Sequence, residues 1–264
     1  MTILEQIVAD KRLEVAARKQ AVPMEHVRKM AEGLKPGRSL KKALVESPTG
    51  IISEFKRKSP SKGYIHPDAQ VVPVVMAYQN AGCCGVSVLT DEPYFGGTIN
   101  DFKEARAVLD CPVLRKDFMI DPYQMYESKI LGADVILLIA ASLTLDEAYD
   151  LGELAHELGM EVLLEVHCEE ELEYISRFTD MVGVNNRNLK VFKTDVQTSF
   201  DLVSKIPSNI VRISESGLSD PSTVNALRKV GYQGFLMGEA FMKEDKPGEA
   251  LASFIKEMTQ SDHL

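Results

Sequence analysis

Glu54 and Lys56 stand two residues apart where the apolar run IISEF ends, and four more runs end in the same grammar. Leu114 precedes Lys116, Leu163 precedes Glu165, Gly183 precedes Asn185 and Ile213 precedes Glu215, each by two positions. Alternate residues of a strand share a face, so each pair reads as an inward apolar position followed by an inward polar one. Burying a single unpaired charge costs several kcal/mol, but two lysines and three glutamates brought to one rim compensate one another. Acids and bases mixed in a partly dry cleft are suited to moving protons. With one lysine across the pocket from another, the expectation is a lysine pulled down to titrate near neutrality, while the glutamates restore charge balance. An ion-pair network that merely closes the rim is the plainer alternative; five polar strand ends exceed what closure needs.

A second group of residues suits an anion. Ser216-Gly217 follows IVRISE and Gly238-Glu239 follows GFLM, and glycine there lets backbone N–H groups approach a phosphate. Lys56, Arg187 and the hydroxyl of Ser59 complete the expected shell. A carboxylate would repel phosphate, so only the backbone N–H of Glu239 is a credible contact and its side chain is expected to turn away. Phe95, Phe118, Leu137 and Phe192 gather near the same strand ends and suit a ring-shaped substrate, with core packing as the plainer reading of each. His167 ends the fifth run, EVLLEVH, and reads as a supporting or loop residue. The histidines show no HExxH or other metal spacing, so no metal is expected. Cys83, Cys84, Cys111 and Cys168 lack CxxC spacing and read as reduced, small and mostly buried.

These residues need a scaffold that gathers strand ends. IISEF, GVSVLT, PVLRKDF, DVILLIA, EVLLEVH, MVGVNN, IVRISES and GFLMGEA are apolar almost throughout, as parallel strands buried on both faces would be. Between them, Asp121-Pro122 and Asp220-Pro221 place an N-cap before a proline at the first helical position, and Thr144 with Glu147 has capping-box spacing. Gly82, Gly132, Gly159 and Gly231 each close a helical stretch as left-handed C-terminal glycines, about two, one and three units of roughly 25 residues apart. Eight strand-helix units predict a (β/α)8 TIM barrel over residues 49–264. Residues 1–48 form an N-terminal helical extension, with helices over 3–20 and 39–45, within a single domain. That extension is expected to cap the pocket or to contact another chain. The rival doubly wound sheet would carry GxGxxG after its first strand, where this chain has KRKSPSKG. SPSKGYIH reads as a mobile first loop able to cover a phosphate.

The stretches SEFKRKSPSKG, SVLTDEPYFGG, PVLRKDFMIDPYQ, LLEVH, VGVNNRNL and ISESGL, in that order from residue 53 to 218, make the chain resemble the indole-3-glycerol phosphate synthase family. With the N-terminal helix and FLMGEAFM the resemblance covers nearly the whole chain. It implies a cofactor-free ring closure of 1-(2-carboxyphenylamino)-1-deoxyribulose 5-phosphate with loss of carbon dioxide and water, as a step of tryptophan biosynthesis. By that resemblance Lys116 is the general acid on the substrate carbonyl and Glu165 is the acid/base partner in losing the hydroxyl. Lys56 binds the carboxylate or phosphate side and shares proton work, the division between the lysines staying open. Glu54, Asn185 and Glu215 orient the substrate, and Arg187, Ser216, Gly217, Gly238 and Glu239 match phosphate positions. A sugar-phosphate isomerase of the phosphoribosyl anthranilate type would want a cysteine or carboxylate base at the first strand, which offers Glu-x-Lys instead. An idle phosphometabolite binder would be expected to have lost the proton-transfer lysines.

The bulk numbers agree with that picture. A chain of 264 residues with 45% hydrophobic and 26% charged residues has the composition of a folded globular protein. A formal charge of -9 and a pI near 5.2 provide no basic field for nucleic acid or an anionic membrane, so local cations must hold an anionic ligand. No run is long and apolar enough to span a bilayer, and residues 1–20 lack a signal-peptide core, so a cytoplasmic protein is expected. A monomer or weak homodimer is expected, in possible association with other enzymes of the pathway.

Overall fold

The apolar runs form eight parallel strands: β1 (Ile51–Phe55), β2 (Gly85–Leu89), β3 (Val113–Lys116), β4 (Val135–Ile139), β5 (Glu161–Val166), β6 (Met181–Asn185), β7 (Val211–Glu215) and β8 (Gly234–Met237). The computed structural model describes residues 2–188 and 193–260. Each strand pairs with the next, and β1 closes the ring against β8 with Ile51 opposite Phe235. The barrel is the closed α/β architecture that the sequence pattern predicts.

Strand alternation sorts the side chains into two cores. Ile52, Leu114, Leu137, Leu163, Met181, Ile213 and Leu236 fill the barrel interior. Their neighbours Ile51, Val113, Ile136, Leu164, Val182 and Phe235 face the helices outside. Both faces of every strand are therefore dry, which is why the runs lack polar alternation until they reach the rim.

The helix signals are realised. Asp121 and Asp220 cap helices that start at Pro122 and Pro221, and Thr144 and Glu147 form a capping box. Gly82, Gly132, Gly159 and Gly231 all have positive φ. One unit departs from the expected repeat: between β5 and β6 the described chain makes only a 3-10 turn, Glu170–Tyr174, in place of an α-helix. Among the cysteines, all free, Cys83 and Cys84 are buried while Cys111 and Cys168 are partly exposed.

The extension closes both ends of the barrel. Three helices make it up: α1 (Ile3–Ala21), α2 (Met24–Ala31) and α3 (Leu40–Glu46). Leu40 and Leu44 of α3 join the interior core at its N-terminal end, and Ile7 of α1 joins it at the rim end. Lys11 of α1 is buried, with Nζ 3.0 Å from Asp91 and 2.9 Å from Asp117, the residue after the last of β3.

Candidate active site

The rim of the barrel holds a cavity of about 1090 Å³, counting its open mouth, and Glu54, Lys56, Lys116, Glu165, Asn185, Arg187 and Glu215 all line it. Their convergence follows from register: Ile139 pairs with Glu165, Glu165 with Gly183, and Asn185 with Glu215. Lys116 Nζ lies 3.0 Å from Glu165 Oε2 and 3.0 Å from Glu215 Oε2. Asn185 Nδ2 donates to Glu165 Oε1 at 3.0 Å. Lys56 is 2.5 Å from Glu54.

The electrostatics differ from the sequence expectation in one respect. Burial works to lower the pKa of Lys116, but the carboxylates of Glu165, Glu215 and Glu54 outweigh it and hold the ammonium above the usual lysine range. Lys116 is not pulled down toward neutrality, because the side chains nearest it are the carboxylates of Glu165 and Glu215, while Lys56 pairs with Glu54. The group poised near neutrality is Glu215: burial drives its carboxyl up to about 7 against the pull of Lys116, with Glu165 adding repulsion. Glu165 goes the other way. Burial opposes its charge, yet Lys116, His167 and Asn185 keep it ionised well below the usual carboxylate range.

Gly183 makes room for this cluster. A Cβ there would sit 2.0 Å from Glu215 Oε1, far inside van der Waals contact, so any side chain must drive the carboxylate off Lys116. For any reaction that uses the Glu215–Lys116 pair, Gly183→Ala is expected to lower kcat by roughly tenfold or more while leaving the fold intact, since a ~1 Å misplacement of a reacting group costs on the order of 10²-fold. Steady-state kinetics beside a thermal melt checks this; unchanged kcat would show that Glu215 can relax at no cost.

The residues expected to hold an anion gather beside Arg187. Its guanidinium meets Ser61 Oγ at 3.0 Å, Thr194 Oγ1 at 3.3 Å and Glu239 at 3.2 Å. Ser216 and Gly217 both adopt left-handed backbone, and Ser216 is the one non-glycine residue with positive φ among those described; such strain concentrates at binding turns. Ser216, Gly217, Gly238 and Glu239 all line the cavity. Two expectations are corrected. Ser59 is buried in the short hairpin pairing Lys58–Ser59 with Gly63–Tyr64 and is absent from the wall, whereas Ser61 at its turn lines the cavity. Glu239 does not turn away: its carboxylate pairs with Arg187 and, at 3.6 Å, with Lys62, because two cations close by outweigh the freedom of open solvent.

Phe95, Phe118 and Leu137 line the wall, the two rings 6.1 Å apart. Phe192 lies outside the described residues. Sequence reasoning missed Ile3, Leu4 and Ile7 of α1, which line the cavity too; their helical spacing showed an apolar face but not what it covers. Of the two roles open to the extension, α1 takes that of cap.

A sequence pattern matches residues 4–254, that of the family described as Indole-3-glycerol phosphate synthase. The chain belongs to this family. The Indole-3-glycerol phosphate synthase of Bacteroides thetaiotaomicron is 51% identical over 254 residues, covering 96% of this chain and 98% of the relative. That of Polynucleobacter asymbioticus is 42% identical over 260 residues, covering 95% and 97%. Among solved structures, 3-hexulose-6-phosphate synthase from Salmonella typhimurium superposes with a TM-score of 0.62 at 12% identity, over 79% of this chain and 99% of the other. A mutant tryptophan synthase alpha-subunit from Pyrococcus furiosus gives 0.60 at 17% identity, over 80% and 98%. At such identities these two show the shared barrel and no more. By its family the chain is an indole-3-glycerol phosphate synthase, a carboxy-lyase.

Proposed function

We propose that this site closes the indole ring of 1-(2-carboxyphenylamino)-1-deoxyribulose 5-phosphate by the following division of labour. The phosphate sits against Arg187, Ser61 and the backbone N–H groups of Gly217 and Gly238, sharing or displacing the Glu239 carboxylate. The aromatic ring lies against Phe95, Phe118 and Leu137 under the apolar face of α1. The ring carbon bearing the carboxylate attacks the ketone carbon; Lys116, held as an ammonium in the free site, gives its proton to the forming alkoxide. Carbon dioxide then leaves, its bonding electrons restoring the ring. Loss of the new hydroxyl needs a proton on the oxygen and the removal of one from the five-membered ring. Glu165, held ionised, is suited to accept the latter, and the available donors for the former are Lys56 and Lys116, the second only after solvent has returned its proton.

The observation carrying this reading is the ammonium of Lys116 held 3.0 Å from two carboxylates on the floor of a cavity whose other end presents Arg187. The metabolic class of the reaction points to the cytoplasm. An acidic chain of this size is read as one folded unit, acting as a monomer or weak homodimer; a complex with other pathway enzymes is left to pull-down experiments.

The test is direct. Adding the carboxyphenylamino substrate to purified protein should produce indole fluorescence with release of carbon dioxide; binding without either would leave a phosphometabolite binder. Arg187→Ala should raise KM by about tenfold or more, the worth of a charge-assisted contact, with kcat changed much less. A kcat loss at constant KM would move Arg187 from the phosphate to the chemistry.

A further inference from the structure

Glu165 is gripped from three sides, and only two of the grips belong to the cavity wall. Lys116 holds Oε2, and Asn185 donates to Oε1. The third is His167, two residues further along the same strand end, whose buried Nε2 stands 3.2 Å from Glu165 Oε1, an ion-pair contact that lacks hydrogen-bond geometry. His167 does not line the cavity, so it is not placed to touch substrate. Its imidazole is itself anchored on the far side: Nδ1 lies 3.2 Å from Glu171 Oε2, and the His167 backbone N–H donates to that same oxygen at 2.7 Å. Glu171 comes from the 3-10 turn Glu170–Tyr174 that stands where the barrel repeat calls for a helix. The turn thus delivers a carboxylate back onto the strand end.

From this chain of contacts we propose that His167 is a positioning residue for Glu165: an imidazolium held by Glu171 that orients the Glu165 carboxylate and keeps it in its basic form. The proposal rests on the reading of Glu165 as the proton acceptor and adds the device that sets its state. Three charged or polar groups favour the anion of Glu165, namely Lys116, His167 and Asn185, and one opposes it, Glu215. The groups facing the imidazole are Glu165 and Glu171, both acidic, and they overcome burial to lift its pKa to about 10. His167 therefore stays charged across the working range, and its removal takes a positive charge from beside the base. Lys116 cannot compensate, because it already stands at its contact distance and is shared with Glu215.

The sign of the effect follows. Without the imidazolium the proton affinity of Glu165 rises, so an acid limb enters the kcat profile at a pH where the parent protein is still flat. In His167→Asn and His167→Gln this limb should lie about one unit or more above the parent's, the worth of one close charge contact. At the pH plateau KM should stay within about twofold, since no substrate contact is lost. Glu171→Gln supplies a second handle that leaves Glu165 and His167 in place. It should lower the imidazole pKa in a nitrogen-15 NMR titration and move the acid limb in the same direction, though less. That variant carries the test if His167 variants fold poorly.

Glu165→Gln is measured alongside: near-normal turnover there would remove the role of Glu165 itself. Loss of turnover in Glu165→Gln, with an unmoved acid limb in the His167 and Glu171 variants, would overturn the positioning role alone. So would an imidazole titrating near 6.5 in the parent protein.

Discussion

Lys116→Met is expected to lose turnover by a factor on the order of 10⁴ or more, because in the proposed mechanism one substitution removes both a proton donor and the cation that stabilises the alkoxide. General acid catalysis contributes about 10²–10⁴ and a preorganised charge about 10²–10³. Methionine keeps much of the length and volume of the lysine stem, so the ring wall and the anion end should persist, with KM changed by less than about tenfold. The electrostatic consequence can be read separately. Glu165 and Glu215 lose their shared ammonium, and Glu215, already pushed up to about 7 by burial, becomes more basic still. A buried carboxyl raised in this way stabilises the fold while protonated and loses that stabilisation as pH rises through its folded pKa. The variant should therefore be closest to the parent in stability at mildly acid pH and should fall behind above neutrality. Rapid-quench measurement of carbon dioxide release, beside melts at several pH values, checks both parts. Turnover within about tenfold of the parent would show that another group supplies the proton.

Most of the barrel was legible because its signals are local. Continuous apolar runs, Asp-Pro caps and left-handed glycines each report a nearest-neighbour constraint, and the structure satisfies them in place. The rim residues were legible for a related reason: strand alternation alone carries Leu114 to Lys116 and Leu163 to Glu165 onto the inner face. What failed depended on distances that no spacing contains. Lys116 was expected to feel Lys56, but Glu54 binds Lys56 and two carboxylates reach Lys116 first. Ser59 and Ser61 lie two residues apart, and the hairpin between them and Gly63 decides which hydroxyl reaches the cavity. The missing fifth helix was hidden by EELEYISRFTD, whose composition suits a helix while its backbone winds only into a 3-10 turn.

The contact between α1 and β3 was equally invisible, and it supports the second large expectation: Lys11→Met should destabilise the protein by about 3–5 kcal/mol, the cost of stripping one partner from a buried ion pair. Lys11 is 1% exposed and touches Glu14 at 2.7 Å as well as Asp91 and Asp117. Burial works against its charge, but Asp117 and Asp91 reverse that and lift its pKa above the usual lysine range. Asp117 retains Thr90, at 2.5 Å, and Arg115, at 3.5 Å; among the described residues Asp91 retains only its cap on the backbone N–H of Tyr94. Asp91 is therefore the charge that is stranded, so Lys11→Met with Asp91→Asn should recover a substantial part of the loss. For a chain of this size the single variant should melt roughly 10 °C lower. The deficit should shrink on acidification, because a stranded carboxylate sheds its cost by taking up a proton. Activity should fall along with stability, since Asp117 directly follows Lys116 and α1 carries Ile3, Leu4 and Ile7 onto the cavity wall. Chemical denaturation of the two variants from mildly acid to neutral pH decides the matter: a single-variant loss below about 1 kcal/mol, the worth of an exposed pair, would mean that water replaces the ammonium and that α1 is held by its apolar face alone.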